Sequence, residues 1–212
     1  METDDLIKAL AADARRSRLS TPAAWSGAVL AAVAVAGIVF FSLLGARPDI
    51  VGAAQSFRFL FKFVVTIALA ASAFGPLTML SRPDADARAL MARLAIAPAL
   101  LAAGIIAELT ISAPDTWSTK LVGTNSLVCV TFIPLIGIGP LALLLLALRH
   151  GAPSQPTLAG AMAGLTAGGV AATFYAAHCT DDSPLFVATW YTIAIAVLTA
   201  LGALTSRRFV HW

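Results

Sequence analysis

The two cysteines of the chain, Cys129 and Cys179, are the residues best suited to chemistry. Cys179 stands in the short connector His178-Cys-Thr-Asp-Asp-Ser-Pro184, where imidazole and carboxylate groups lie beside the thiol. Thiolates bind soft metal ions, and imidazole or carboxylate groups can complete such a site, although two cysteines alone are not a metal-binding motif. The candidate metal ligands are Cys129, His178, Cys179, Asp181 and Asp182.

Three interpretations of the cysteine pair remain open on spacing alone. The pair could form a disulfide, act as a thiol sensor for metals or oxidants, or consist of two unrelated cysteines packed as small apolar residues. The run after Cys179 also has a simpler explanation, because Ser183 and Pro184 predict a tight turn with a helix start. The sequence combines no nucleophile with a base and orienting acid, so we do not expect an enzyme.

Six apolar segments must position these residues. The chain has 212 residues, 59% hydrophobic and 12% charged, where a soluble domain carries about 25% charged residues. Each segment has about the 20 residues needed to cross a bilayer. The sequence therefore predicts an all-α membrane protein, a bundle of six transmembrane helices preceded by a short cytoplasmic amphipathic helix. The predicted units are residues 1–22, a transmembrane domain 23–205 (23–45, 59–80, 94–112, 125–147, 157–177 and 185–205) and a tail 206–212.

The distribution of Lys and Arg predicts the orientation. If every segment crosses, ten of the 14 basic residues fall on one side and four on the other. Basic loops stay in the cytoplasm, so both termini are expected there, with both cysteines toward the opposite side of the membrane. In a bacterium with two membranes that side is the periplasm. This excess of Lys and Arg in cytoplasmic loops also accounts for the formal charge of +3, so the charge gives no reason to expect direct nucleic-acid binding. The smaller group is Arg47, Arg58, Lys62 and Lys120.

The fifth segment carries a stripe of glycines. Gly160, Gly164 and Gly168 recur every four residues on one helix face, which lets two backbones approach closely in lipid. Tight structural packing is the favoured interpretation, and a moving seam between helices is the alternative.

Charged residues inside the apolar segments are few. Arg58 and Lys62 near the start of the second segment could meet Glu108 near the end of the third, close to the membrane interface. The specific hypothesis is a Lys62–Glu108 ion pair. A proton or ion pathway would need more such groups near the midplane. A small-solute or metal transporter is therefore the alternative function, not the leading one.

The first twenty residues predict an amphipathic helix. Leu6, Ile7 and Leu10 share one stripe, with acidic residues at the start and Arg15 among the basic residues at the end. Such a helix could lie on the membrane surface or dock into a groove of a protein partner. Spacing alone does not separate these two interpretations.

Residues along the whole chain carry a family resemblance. They include Thr3-Asp-Asp-Leu-Ile, Leu10-Ala-Ala-Asp13, Arg47-Pro-Asp49, Trp117, Cys129, Gly160-Ala-Met-Ala-Gly164, the long run from Tyr175 to Tyr191, and Trp212. On these residues the chain resembles the negative-regulator-of-sigma-F (NrsF) family, six-span bacterial inner-membrane anti-sigma factors.

The resemblance implies a function for both ends of the chain. The first segment would hold an extracytoplasmic-function-type sigma factor at the membrane. Cys129 and Cys179 match the family's cysteine pair, which would sense heavy-metal or oxidative stress and release that factor. No obligatory cofactor is implied, only a transient heavy-metal ion. The residues expected to bind the sigma factor are Asp4, Asp5, Leu6, Ile7, Leu10 and Asp13.

Overall fold

The structure, a computed structural model, describes residues 3, 5, 21–83 and 91–209. Within these ranges the chain forms six helices long and apolar enough to span a membrane, and no strand. The all-α fold predicted from the sequence is therefore confirmed. The six helices are α1 (Ala23–Leu43), α2 (Phe57–Leu80), α3 (Ala92–Ile111), α4 (Ser126–Leu148), α5 (Pro156–Ala176) and α6 (Pro184–Phe209).

Two helix ends differ from the predicted ends of the apolar segments, because the backbone geometry and not the apolar composition determines where a helix stops. α1 ends at Leu43, because Gly45 has a left-handed backbone (φ 71°) and its N–H donates to the carbonyl of Phe40 at 3.0 Å. α6 continues to Phe209, four residues past the predicted 205. Arg207 and the next residue end the apolar run but not the helix, since cations are favourable at a helix C-terminus.

Two further helices lie in the connections at one end of the bundle. Ile50–Ala53 follows α1, and Trp117–Val122 follows α3. We call this the cysteine end, because the connector with Cys179 also lies there: the backbone N–H of Arg47 donates to the carbonyl of Ala177 at 3.0 Å. The other end holds the connections after α2 and α4.

Helix α5 is the centre of the bundle. It packs against α6, α2, α4 and α1. In its most apolar stretch 61% of the residues are buried, against 11% in the corresponding stretch of the peripheral α3. The face of α5 with Gly160, Gly164 and Gly168 lies directly on α6. A Cβ atom added at Gly164 would meet the carbonyl oxygen of Leu198, so the two backbones are in contact there.

The start of α6 has an irregular geometry. Ser183 is its N-cap, and its Oγ accepts from the N–H of Leu185 at 3.2 Å, which confirms the predicted helix start. A π-helical turn, Val187–Tyr191, follows. A π turn inserts an extra residue, and it thereby changes the direction of the side chains that follow.

The outer surface is apolar, as expected in lipid. Large side chains such as Leu30 and Ile38 of α1 and Ile106 of α3 are more than half exposed. Of the residues expected to bind a sigma factor, the structure describes Asp5, which is helical and exposed. The others lie outside the described residues: Asp4, Leu6, Ile7, Leu10 and Asp13.

Candidate functional site

The structure places the two cysteines at the same end of the bundle. Cys129 lies in the first turn of α4, and Cys179 in the connector between α5 and α6. Both are free thiols with no exposed surface, and their sulfurs are near enough to interact electrostatically. The pair is therefore one buried site built from two segments that are 50 residues apart in sequence.

Two basic side chains, Lys62 and Arg47, bind the connector that carries Cys179. Lys62 of α2 is fully buried; its Nζ donates to the carbonyl of Cys179 at 2.8 Å and pairs with Oδ1 of Asp182 at 2.5 Å. Nη1 of Arg47 lies 3.2 Å from Oδ2 of Asp182 and 3.4 Å from the same Cys179 carbonyl. A buried charge is tolerated only with such partners, so these contacts fix the connector in place.

The end of α1 is bonded to both sides of Cys179. On one side, Nδ1 of His178 donates to the carbonyl of Gly45 at 3.0 Å, since a carbonyl can only accept. On the other, Arg47 reaches Asp182 and also pairs with Asp49 at 2.6 Å. The hydrogen bond from Arg47 lowers the pKa of Asp49, and the pKa of Arg47 is raised in turn. The connector and the end of α1 thus form one polar unit.

Asp181 joins the connector to the helix that carries Cys129. Its Oδ2 accepts from the backbone N–H groups of Thr124 at 3.0 Å and Asn125 at 2.8 Å, and from the Asn125 side-chain amide at 2.9 Å. These N–H groups precede α4, where a carboxylate is electrostatically favourable. The connector that carries Cys179 and the start of the helix that carries Cys129 are therefore also joined by hydrogen bonds that do not involve the sulfurs.

Cys179 is a protonated thiol at rest. Burial raises the pKa of its thiol, while the charge of Lys62 acts in the opposite direction. Its Sγ donates weakly to the backbone carbonyl of Asp181 at 3.7 Å. A thiol in this state is unreactive until it loses its proton.

Two tyrosines complete the surroundings of the thiols. Tyr175 in the last turn of α5 and Tyr191 at the end of the π turn are both buried, with ring centroids 5.7 Å apart. Both tyrosines belong to the same buried cluster as the two cysteines, and neither hydroxyl has a hydrogen-bond partner among the described residues.

The five predicted metal ligands do not converge. The described part of the chain contains no group of three or more His, Cys, Asp or Glu side chains that could hold a metal ion. The two cysteines come together, but His178 faces a backbone carbonyl, Asp181 accepts from N–H groups, and Asp182 pairs with two cations. Those partners compete for the same oxygen and nitrogen atoms that a metal would use.

The predicted ion pair between Lys62 and Glu108 is wrong. Glu108 instead accepts from Nε of Arg58 at 2.8 Å and from Nζ of Lys120 at 2.8 Å, while Lys62 lies one turn further into α2 and reaches the connector. Between the Glu108 cluster and the connector lies an open cleft of about 410 Å³. Its lining includes Arg58, Glu108, Lys120, Asp181 and Asp182.

Sequence reasoning missed the residues that support the thiols. Lys62 carried a usable signal, because a cation inside an apolar segment needs a buried anionic partner. Arg47 and Tyr175 stood among the residues of the family resemblance, but nothing in their spacing indicated contacts with the connector. Those contacts depend on how α1, α2 and α5 pack.

Comparison with known proteins gives the site its context. The family profile described as "Negative regulator of sigma F" (NrsF) matches residues 10–212. The chain is 35% identical to "Anti-sigma-F factor NrsF" of Caulobacter vibrioides and 32% identical to "Probable anti-sigma-F factor NrsF" of Azospira oryzae, each over the full length of both chains. No solved structure shows a significant match. A profile match over nearly the whole chain and two full-length relatives establish that this chain belongs to the NrsF family.

Proposed function

We propose that the chain is a membrane-bound anti-sigma factor that holds an extracytoplasmic-function-type sigma factor at a bacterial inner membrane. The names of the two relatives and the description of the family support the anti-sigma role. Residues 1–22 are the proposed binding segment. Both termini lie in the cytoplasm in this proposal, because most of the basic residues would then face that side.

The signal in this proposal is a heavy metal or an oxidant that reacts with Cys129 and Cys179 on the periplasmic side. The metal is a transient signal and not a resident cofactor. The open cleft beside the connector supports an approach route, since its lining includes Thr180, Asp181 and Asp182, the three residues that follow Cys179.

The observation that carries the proposal is the bonding of the connector to the end of α1. A reaction at the sulfur of Cys179 acts on a residue whose carbonyl is held by Lys62 and Arg47. Arg47 is four residues past the end of α1, and the other end of α1 leads directly to the proposed sigma-binding segment. A displaced connector therefore pulls on the one helix that is continuous with residues 1–22.

The energies of the two kinds of signal differ. Reversing a two-state equilibrium from 1:99 to 99:1 needs about 5.5 kcal/mol of differential binding. A disulfide typically contributes about 2–4 kcal/mol, whereas structural metal–thiolate sites reach about 10–16 kcal/mol. A metal adduct is thus sufficient for a complete switch, and a disulfide supplies a partial one.

The experiment replaces both cysteines with serine in the full-length protein and follows a reporter of the sigma factor. We expect repression to remain and induction by Cd²⁺ or an oxidant to disappear, because the sensor sulfurs are gone while the binding segment is intact. Loss of repression would show that the cysteines are structural, and undiminished induction would remove them from the sensor.

A second measurement addresses the binding segment itself. Replacing Leu6 and Leu10 with aspartate should prevent co-purification of the sigma factor, because both lie on the proposed apolar stripe. Ala12→Asp, on the other side of the predicted helix, is the matched control and should retain it. Equal retention in both variants would contradict a docking role for the stripe.

A further inference from the structure

Two buried tyrosine hydroxyls have no role in the function proposed above. Tyr175 has no exposed surface and Tyr191 is 1% exposed, so water does not satisfy either hydroxyl. Neither has a hydrogen-bond partner among the residues that the structure describes. Buried polar groups are nearly always paired, and an unpaired one in a folded protein calls for an explanation.

Both hydroxyls lie at the thiols. Both rings pack in the same buried cluster as Cys129 and Cys179, and the backbone N–H of Cys179 donates to the carbonyl of Tyr175 at 3.1 Å. Each hydroxyl is within electrostatic range of both sulfurs. They come from the two helices that flank the connector, Tyr175 from the last turn of α5 and Tyr191 from the π turn of α6. The edge-to-face packing of the two rings, at 63°, holds them in this arrangement.

A thiol and a thiolate differ as hydrogen-bond acceptors. The sulfur of a protonated cysteine accepts weakly, so it leaves the two O–H donors unsatisfied at rest. An anionic sulfur accepts strongly, because hydrogen bonds to charged groups are about twice as strong as those between neutral groups. The sulfurs of a disulfide are neutral and offer the donors nothing comparable.

We infer that Tyr175 and Tyr191 are specificity-determining residues of the sensor, whose hydroxyls donate to the sulfurs of Cys129 and Cys179 when these bind a soft metal cation as thiolates. The inference rests on the proposed sensor function and makes it more specific: of the two proposed signals, a metal and an oxidant, the tyrosines favour a soft cation bound by thiolates. Disulfide formation gains nothing from the tyrosines.

The reaction balances without an oxidant. Each cysteine loses its S–H proton to solvent, and each sulfur forms one bond to the cation with the electron pair left behind. For Cd²⁺, two protons leave and two Cd–S bonds form, with no change in oxidation state. The sulfurs keep partial negative charge, to which the tyrosine O–H groups donate.

The test titrates Cd²⁺ into the purified full-length protein in detergent and follows the ultraviolet thiolate-to-cadmium charge-transfer band. We expect Y191F to bind about tenfold more weakly and Y175F/Y191F about a hundredfold, one charged hydrogen bond being lost at each position. The matched control is T189V, which removes a hydroxyl from the same π turn that bonds only to Leu185 within its own helix. It should bind Cd²⁺ as tightly as the wild type.

Two further measurements separate the possible failures. Diamide-driven disulfide formation should proceed equally in the wild type and Y175F/Y191F, and the thermal midpoint of the double variant should be equal or higher, because unpaired donors are removed. Wild-type Cd²⁺ affinity in the double variant overturns the inference and leaves the cysteine sensor intact. Unchanged Cd²⁺ binding in C129S/C179S overturns the sensor itself.

Discussion

At the scale of single residues, the resting site is inactive because its thiol is protonated. Burial raises the pKa of Cys179, and Lys62 only partly offsets this. A protonated buried thiol resists air oxidation and adventitious metals. In the proposed sensor, a strong ligand for sulfur has to displace this proton, and protonation would then set the threshold of the response.

The raised pKa predicts a pH dependence of thiol reactivity. Below the pKa, each unit of increase in pH multiplies the thiolate fraction about tenfold, so alkylation of Cys179 should accelerate about tenfold per pH unit between about pH 6 and 8. The measurement uses C129S, a small maleimide and mass spectrometry. Lys62→Met should slow the reaction further, because the opposing charge is removed. A rate independent of pH would mean that the thiolate is already formed.

At the scale of elements, the connector works as a junction between four helices. It joins α5 to α6 along the chain, α1 and α2 through Arg47 and Lys62, and α4 through Asp181. Helix α3 is attached separately by the cluster around Glu108. A movement at the connector is therefore passed to α1 and α2 more directly than to α3.

Arg47→Gln should uncouple sensing from release. The substitution removes the charge that holds Asp182, while the backbone bond from residue 47 to Ala177 remains. We expect repression to persist and induction to fall at least about fivefold, as expected when coupling of about 1 kcal/mol is lost. Arg58→Gln is the matched control, since Arg58 lies at the same end but bonds to Glu108. Equal effects of both substitutions in the reporter assay would contradict a specific role for Arg47.

The glycine stripe predicts a packing effect that two matched alanine substitutions can isolate. A Cβ at Gly164 would meet the backbone of α6, whereas one at Gly27 of α1 meets nothing within 4 Å. Gly164→Ala should lower the free energy of unfolding by about 1–3 kcal/mol through overpacking. Gly27→Ala should leave it equal or slightly higher, because alanine favours the helix. Thermal unfolding in detergent measures both, and similar values would show that α5 and α6 are not held in contact.

At the scale of the whole molecule, the proposal depends on the separation of sensor and binding segment by the membrane. Six helices of spanning length place the cysteine end opposite the end of the bundle where α1 begins and α6 ends. In the proposed mechanism, signalling requires a rigid element through lipid, and α1 is the helix that would serve.

Labelling of single cysteines should reveal this separation. In the C129S/C179S protein, an exposed Asp115→Cys at the cysteine end should react with a membrane-impermeant maleimide in intact cells. Arg207→Cys, exposed at the end of α6, should react only after the inner membrane is opened. Reaction of both from one compartment would overturn the proposed orientation and, with it, the periplasmic sensor.

The sequence by itself determined the six helices and the common end of the two cysteines. In lipid each backbone must satisfy its own hydrogen bonds, so a run of about 20 apolar residues is enough to predict a helix without knowledge of its neighbours. Counting crossings then places Cys129 and Cys179 at one end. Family membership also followed from linear sequence, since the run from Tyr175 to Tyr191 is contiguous.

Only the tertiary structure decided which groups meet. Whether Lys62 pairs with Glu108 or Asp182 depends on the rotation of α2 against α5, and the sequence carries no measure of that angle. The same holds for Arg47 at the connector and for the two tyrosine hydroxyls at the thiols. These contacts join groups distant along the chain, and they arise from the packing of helices around α5, where the glycine stripe brings α6 into backbone contact.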